Sequence, residues 1–216
     1  MNDGALRPYE LSLRDSGQLA MVDGHGRQVS LNVARWLAPA DPPDDTVLQR
    51  CVGPVLDVGC GPGRLVRALS ERGIACMGLD IAETAVWITR GRGVPALLRN
   101  VFAAVPGEGR WPTVLLMDGN VGIGGDPRRL LARIARLLAA DGRLIVETDP
   151  DPVLDLASTL RFLVEGTPVG PSFEWAEIGV EALRHHAERA GLYPVDVWSA
   201  GGRTFTTLAS RLTLTR

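Results

Sequence analysis

Residues 55–69 read VLDVGCGPGRLVRAL, and the architecture of the chain follows from them. The mostly apolar run VGPVLDV, residues 52–58, predicts a strand. The strand runs into Gly59-Cys60-Gly61-Pro62-Gly63 and then into a helical stretch, with Leu65, Val66 and Leu69 on one side and Gly73 as its stop. Glycines at such a turn permit a tight bend and let backbone N–H groups and a helix N-terminus approach a ligand closely. By itself the pattern says only that a nucleotide-like ligand is bound.

Spacing narrows the choice. A dinucleotide fingerprint needs G-x-G-x-x-G, and with Gly59 and Gly61 as the first two, the third position holds Arg64. A phosphate-binding Walker loop needs lysine, but all 23 basic residues are arginine. That lack also closes lysine-based general-base and Schiff-base chemistry. What the turn does have is Asp57, two residues before Gly59 and inside the strand. An acid in an apolar strand is costly unless something satisfies it, and a ligand's cationic amino group is a natural partner. Asp80 ends the next strand (74–80), where a carboxylate can take both hydroxyls of a ribose.

The stretch Asp57-Val58-Gly59-Cys60-Gly61-Pro62-Gly63, with Asp80 downstream, resembles the first motif and the ribose-binding acid of the class I methyltransferases, which use S-adenosylmethionine (SAM). The resemblance implies an α/β fold: a Rossmann-like, doubly wound, seven-stranded, mostly parallel sheet with an antiparallel C-terminal hairpin strand. Carried over by position, Gly59, Cys60, Gly61 and Gly63 form the turn against SAM's methionine part. Asp57 helps to hold its amino group, Asp80 the ribose, and Ile81 packs on adenine. Asn100 and Val101 follow the third strand, where the family often has an acid for the adenine amino group; asparagine stands here instead. Asp118, ending the fourth strand, faces the methionine end and the acceptor. The blocks PGEGRW and DGNVGIGGDP resemble those of stand-alone bacterial methyltransferases.

Outward from this centre, short apolar runs alternate with helix-period segments, as in a parallel sheet covered by helices. Strands are expected at 95–100, 111–118 and 143–149, and a helix near Glu83–Arg90. A further helix is capped by Asp126, opened by Pro127 and stopped by Gly142. Helical stretches are expected over 153–164 and 177–190, with a Gly/Pro loop between them. Strands 193–198 and 203–210 form a terminal hairpin around Ser-Ala-Gly-Gly. Residues 1–50 read as a helical or irregular extension, a lid over the acceptor pocket, and residues 51–216 as the SAM-binding domain.

For catalysis the candidates are Asp118, His25 and Glu147, with Asp149 at the same sheet edge. Asp118-Gly119-Asn120 also reads as a simple turn, though its place at the end of a central strand favours function, and Glu147 and Asp149 read equally as solvated loop acids. His25 lies in an Asp-Gly-His-Gly stretch that reaches an acceptor only if the extension folds over the pocket. On the last helix His185 points away from the apolar stripe, and His186 flanks it as an edge-packing residue. Trp36, Phe173 and Trp175 either line an acceptor pocket or pack in the core.

The chain has 216 residues, 45% hydrophobic and 22% charged, with a net charge of −2. That balance offers no field for a nucleic-acid backbone. Cys51, Cys60 and Cys76 have no metal or disulfide spacing, no metal site is expected, and a reducing cytoplasm is the better reading. The first residues lack a signal peptide's pattern, and no apolar run approaches the ~18 residues that cross a bilayer. The expectation is a cytosolic monomer or homodimer that methylates oxygen or nitrogen of a small metabolite. The alternatives are a SAM-fold protein that transfers an aminopropyl group or only binds the cofactor, and an NAD(P)-dependent oxidoreductase.

Overall fold

The computed structural model describes residues 6–210. The N-terminal part holds α1 (Arg7–Asp15), the hairpin β1 (Leu19–Asp23) and β2 (Gln28–Leu31), α2 (Val33–Leu37) and α3 (Pro42–Leu48). The alternating part follows: β3 (Val55–Val58), α4 (Arg64–Glu71), β4 (Cys76–Asp80), α5 (Glu83–Gly91), β5 (Ala96–Leu98), β6 (Trp111–Leu116), α6 (Pro127–Leu137) and β7 (Leu138–Thr148). Next come β8 (Asp155–Val164), β9 (Thr167–Ile178), α7 (Val180–Arg189), β10 (Leu192–Ala200) and β11 (Arg203–Ser210).

Seven strands form one sheet in the order β10-β11-β7-β6-β3-β4-β5. β3 pairs in parallel with both β4 and β6, and only β11 and β10 run antiparallel. This is the Rossmann-like methyltransferase sheet expected from the sequence. Helices cover both faces. Leu144 and Val146 of β7 join Leu130, Ile134 and Leu183 on one side, while Ile145 joins Val47, Leu65 and Leu69 on the other. The continuous apolar runs of the central strands are the sequence trace of that double burial. The terminal hairpin turns on Gly201-Gly202, both with positive φ (56° and 77°), as a two-residue turn between right-twisted strands requires.

The structure departs from the sequence reading in four places. Within the extension read as helical or irregular, residues 19–31 form the antiparallel hairpin β1-β2. Residues 153–164 are not helical, and no loop spans 165–175. β8 and β9 form a long hairpin across Glu165 (φ 50°) and Gly166 (φ 77°). β8 pairs with β1, so a four-stranded antiparallel sheet β2-β1-β8-β9 joins the N-terminal hairpin to this second one. Its trace in the sequence was the alternation Leu156, Ser158, Leu160, Phe162, a period of two across residues that also favour helices. Helix α7 starts at Val180, because Glu177 and Ile178 still belong to β9. Helix α6 ends at Leu137 rather than running to Gly142. Leu138 is already paired with Trp111, and a Cβ on Gly142 would lie 2.7 Å from the Trp111 carbonyl oxygen. That glycine marks a close backbone approach, not a helix stop.

The two quoted blocks acquire structural meaning. In PGEGRW, Glu108 accepts the Val105 N–H (3.0 Å) and pairs with Arg133, while the Trp111 indole donates to the Pro106 carbonyl (3.0 Å), closing the loop without a helix. In DGNVGIGGDP, a short 3-10 turn at Asn120–Gly122 lies against β9, and Ile123 makes a bridge to Trp175. A Cβ on Gly122 would fall 1.9 Å from the Ala176 carbonyl oxygen. Gly122→Ala therefore forces two backbones apart and is expected to cost about 1–3 kcal/mol or more, read as a lowered urea midpoint at unchanged slope. A variant as stable as the parent would show that the two sheets do not meet here.

Candidate functional site

The cleft opens where β3, β4, β5 and β6 end. The turn after β3 is left-handed at Gly59, Gly61 and Gly63 (φ 72°, 53° and 83°), conformations that side-chain-bearing residues rarely adopt. Neighbours hold it closely. The Asn120 amide donates to the carbonyls of Val58 (3.0 Å) and Gly59 (2.9 Å), and the Thr89 hydroxyl donates to that of Gly61 (3.0 Å). A Cβ on Gly59 would lie 2.5 Å from Asn120, and one on Gly63 2.7 Å from Thr89. Asp80 receives the N–H of Gly61 on one oxygen and that of Ala82 on the other, both at 2.8 Å. It thus ties the turn to the start of α5 and keeps lone pairs for a ligand. Burial pushes its pKa up, against the opposing pull of those N–H groups.

Asp57 differs. It is 2% exposed, and among the described residues nothing donates a hydrogen bond to its carboxylate. Burial, followed by the charges of Asp118 and Asp80, pushes its pKa up to about 8. This is the environment of an acid awaiting a cation.

Asp118 and Glu147 are engaged otherwise. Asp118 has left-handed backbone (φ 54°), and its carboxylate meets Arg35 Nη1 at 2.7 Å and Arg64 Nη2 at 2.6 Å. Its N–H donates to Glu147 (2.8 Å), which Arg203 grips through two nitrogens at 2.7 and 2.6 Å. Arg64 also pairs with Asp44. Arg35 reaches Asp41 (2.9 Å) and Asp44 (3.2 Å), and Arg203 reaches Asp44 (2.8 Å). Three guanidiniums and four carboxylates thus form one network around an Asp44 that is fully buried and an Arg64 that is 4% exposed. Asp118 lines the cleft but reaches it compensated, and Glu147 lies behind it, outside the lining.

Of the remaining expected residues, Cys60, Ile81, Asn100 and Val101 line the cleft. Burial holds the Cys60 thiol well above its usual range, which suits packing rather than nucleophilic attack. His25 sits in the turn after β1, its N–H bonded to Asp23, and lines a separate groove with Arg161 and Ser172. Asp149 accepts the Asp151 N–H in a loop, and His185 is exposed. His186 Nε2 lies 3.1 Å from both oxygens of Asp155. Trp36, Phe173 and Trp175 do both things the sequence allowed: they line the cleft and belong to the apolar cluster beneath the four-stranded sheet.

Sequence reasoning missed Tyr9 on α1, Asn120 and the arginine network. Glu10 accepts the Thr84 N–H at the start of α5 (3.2 Å), Arg14 donates to the Thr84 hydroxyl (3.2 Å), and Tyr9 is thereby carried over Gly61. Burial, then nearby Asp80, raises the Tyr9 phenol well above 10.0. Only Asn120 had a signal, its place in the Asp118-Gly119-Asn120 turn after a central strand. The cavity so enclosed measures about 390 Å3, within the roughly 300–1,000 Å3 of small-ligand pockets. Among the described residues no group of three or more His, Cys, Asp or Glu is arranged to hold a metal ion.

Residues 55–142 match the family described as a methyltransferase domain. That match, with the seven-stranded sheet around it, supports a class I methyltransferase fold. Around it the likeness reaches further. A ubiquinone biosynthesis O-methyltransferase of Bordetella avium is 29% identical over 154 residues, 65% of this chain and 62% of that protein. One from Neisseria meningitidis is 29% identical over 182 residues, 76% of this chain and 72% of that one. The chain thus spans about 62% of the Bordetella relative's length. Among solved structures, a SAM-dependent methyltransferase from Bacteroides fragilis in complex with S-adenosylhomocysteine superimposes with a TM-score of 0.77 at 20% identity, over 96% of this chain and 94% of that one. The 1,6-didemethyltoxoflavin N1-methyltransferase of Burkholderia thailandensis gives 0.59 at 21% identity, over 78% and 77%. These last two show the methyltransferase fold. No helix among the described residues is long and apolar enough to cross a membrane.

The unpartnered Asp57 makes the protein's stability depend on pH. Its folded pKa lies above the unfolded value of about 3.9, so the folded state holds the proton more tightly. The stability this contributes is complete below about pH 4 and is lost as pH rises toward about 8. Asp57→Asn should therefore melt higher than the parent near pH 8 and the same near pH 4, measured without ligand. Parallel curves for the two proteins would refute the assignment. Asp44→Ala, which leaves buried Arg64 and Arg203 undercompensated, is expected to cost about 3–5 kcal/mol in chemical unfolding.

Proposed function

We propose that the cleft binds SAM and that the protein transfers its methyl group to oxygen or nitrogen of a small acceptor. The observation that carries this reading is Asp57, a buried acid lacking a hydrogen-bond donor beside a three-glycine turn and 2% exposed. A ligand with a cationic amino group and a ribose fits this donor and acceptor set. Asp57 would take the amino group, Asp80 the ribose hydroxyls, and Ile81, Asn100 and Val101 the adenine edge. Bound there, SAM supplies a methyl group already activated on a sulfonium centre. The chain's own residues then need only hold the acceptor in line, within about 3–3.5 Å, and keep water out. Tyr9, Trp36 and the four-stranded sheet are placed for that exclusion, which supports reading the N-terminal segment as a lid.

No residue of the cleft needs to be a strong base. Asp118 is held by two arginines, so its part is positional, and a neutral acceptor's proton is released to solvent after the methyl group has been transferred. Three free cysteines, with Cys51 and Cys76 pushed up to about 12 and 11 by burial, agree with a reducing cytoplasm and have no part in the chemistry. The acceptor is read as a small metabolite rather than a nucleic acid, and the protein as a monomer or homodimer.

Calorimetry with S-adenosylhomocysteine tests the cofactor, and Asp80→Ala should weaken that binding by about 1–3 kcal/mol. Incubation with SAM and bacterial extract should then give S-adenosylhomocysteine together with a product heavier by one methyl group. Methylthioadenosine in its place would mean aminopropyl transfer, and stabilisation by NAD(H) but not by SAM would mean an oxidoreductase.

A further inference from the structure

Beyond the cofactor's share of the cleft, the walls come from the N-terminal segment and the four-stranded sheet. Met21, Leu31, Phe162, Phe173 and Trp175 from the sheet, with Trp36 from α2, line it with apolar and aromatic surface. Phe173 stands edge-on to Trp175 (centroids 6.5 Å apart, planes at 90°) and is tilted on Phe162 (5.0 Å). From the other elements, Tyr9 stands edge-on to Trp36 at 5.9 Å. The charges nearby are already matched. Asp118 is held by Arg35 and Arg64, Glu147 by Arg203, and Asp80 by two backbone N–H groups. Asp57 is committed to the cofactor's amino group, on which this inference therefore rests.

A charged acceptor entering such walls would lose its water and find no free counter-ion deep in the cleft. Two arginines at the mouth, Arg99 and Arg129, are exposed; Arg129 lies over the Phe102 ring at 4.3 Å, where water still serves it. They do not call for an anion. We propose that the acceptor is an uncharged, planar ring compound, received between aromatic side chains of the four-stranded sheet and of the N-terminal helices, and that Trp175 and Phe173 select it by shape and apolarity.

Three probes of one shape decide this: 2-naphthol, 2-naphthoate and 2-naphthylmethylammonium, titrated by ligand-observed NMR into protein saturated with S-adenosylhomocysteine. 2-Naphthol should bind at least tenfold more tightly than either ion. Trp175→Ala should weaken it at least fivefold and Trp175→Phe should recover most of the loss, with S-adenosylhomocysteine affinity retained in both. Naphthoate equal to or better than naphthol overturns the proposal, and dependence of that binding on Arg129 would assign the mouth arginines to an anionic acceptor. Preference for the ammonium, or no binding by any probe, overturns it as well. Failure of S-adenosylhomocysteine to bind counts against the cofactor reading alone, and the ranking of the three probes is then read on the ligand-free protein.

Discussion

Everything at the sheet edge depends on how Arg64 is buried. It is the first residue of α4, directly after the glycine turn, and its guanidinium lies 4% exposed. A guanidinium cannot shed its proton in a protein, so burial demands anions at close range. Asp44 and Asp118 supply them, and each is shared with another arginine. One buried cation thereby fixes the relative positions of α2, α3, α4, β6, β7 and β11. Breaking the set leaves an unpaired charge inside, which is costlier than never having built the set. The left-handed backbone of Asp118, unfavourable for a side-chain-bearing residue, persists because both its carboxylate and its N–H are held.

The same edge sorts its acids by what answers them. Asp118, Glu147 and Asp44 are answered by arginine, Asp80 by backbone N–H groups, and Asp57 by nothing among the described residues. The last keeps its charge for a cation, while Asp80 keeps lone pairs for hydroxyls. Arginine suits the first group because its planar fork addresses two acids at once, as Arg35 and Arg64 do, whereas an ammonium offers a point charge on a flexible stem. The absence of lysine thus has a structural counterpart at this network. It also bears on the cleft: an acid clamped by two guanidiniums, as Asp118 is, is fixed in place at its edge.

The cofactor half of the protein was legible because its signals are local. Strand, glycine turn and Asp80 lie within 26 residues, and each glycine answers a backbone need visible in the pattern. The start of helix α6 was legible for the same reason, with Asp126 as cap before an eleven-residue helix that opens on Pro127 and carries a leucine stripe. The four-stranded sheet was not, because its defining contact joins Met21 to Phe162 across a long stretch of chain, and β8 carries residues equally at home in a helix. Gly142 and Gly122 show a second limit. A glycine's sequence neighbours tell that it bends or ends something, yet these two are small because a distant backbone passes against them. The arginine network was hidden likewise, since Arg35, Asp44, Arg64, Asp118, Glu147 and Arg203 share no spacing that periodicity reveals.

This division between local and long-range signals also separates the two ligands. The family match spans residues 55–142 and so contains the turn, Asp57, Asp80, Ile81 and Asn100. Met21, Leu31, Trp36, Phe162, Phe173 and Trp175 all lie outside it. The family match therefore bears on the part of the cleft proposed above for the cofactor and not on the walls proposed for the acceptor. A fold of this kind varies its substrate by changing what is laid over a constant sheet edge. Here that covering is a second sheet, built from two hairpins far apart in the chain and seated on the turn after β6 through Gly122 and the Ile123–Trp175 bridge. Because Asn120 in the same turn grips the glycine loop, the acceptor wall and the cofactor cradle share one short segment. The backbone of that turn thus sets the distance between wall and cradle, while the side chains of the wall are left to vary with the acceptor.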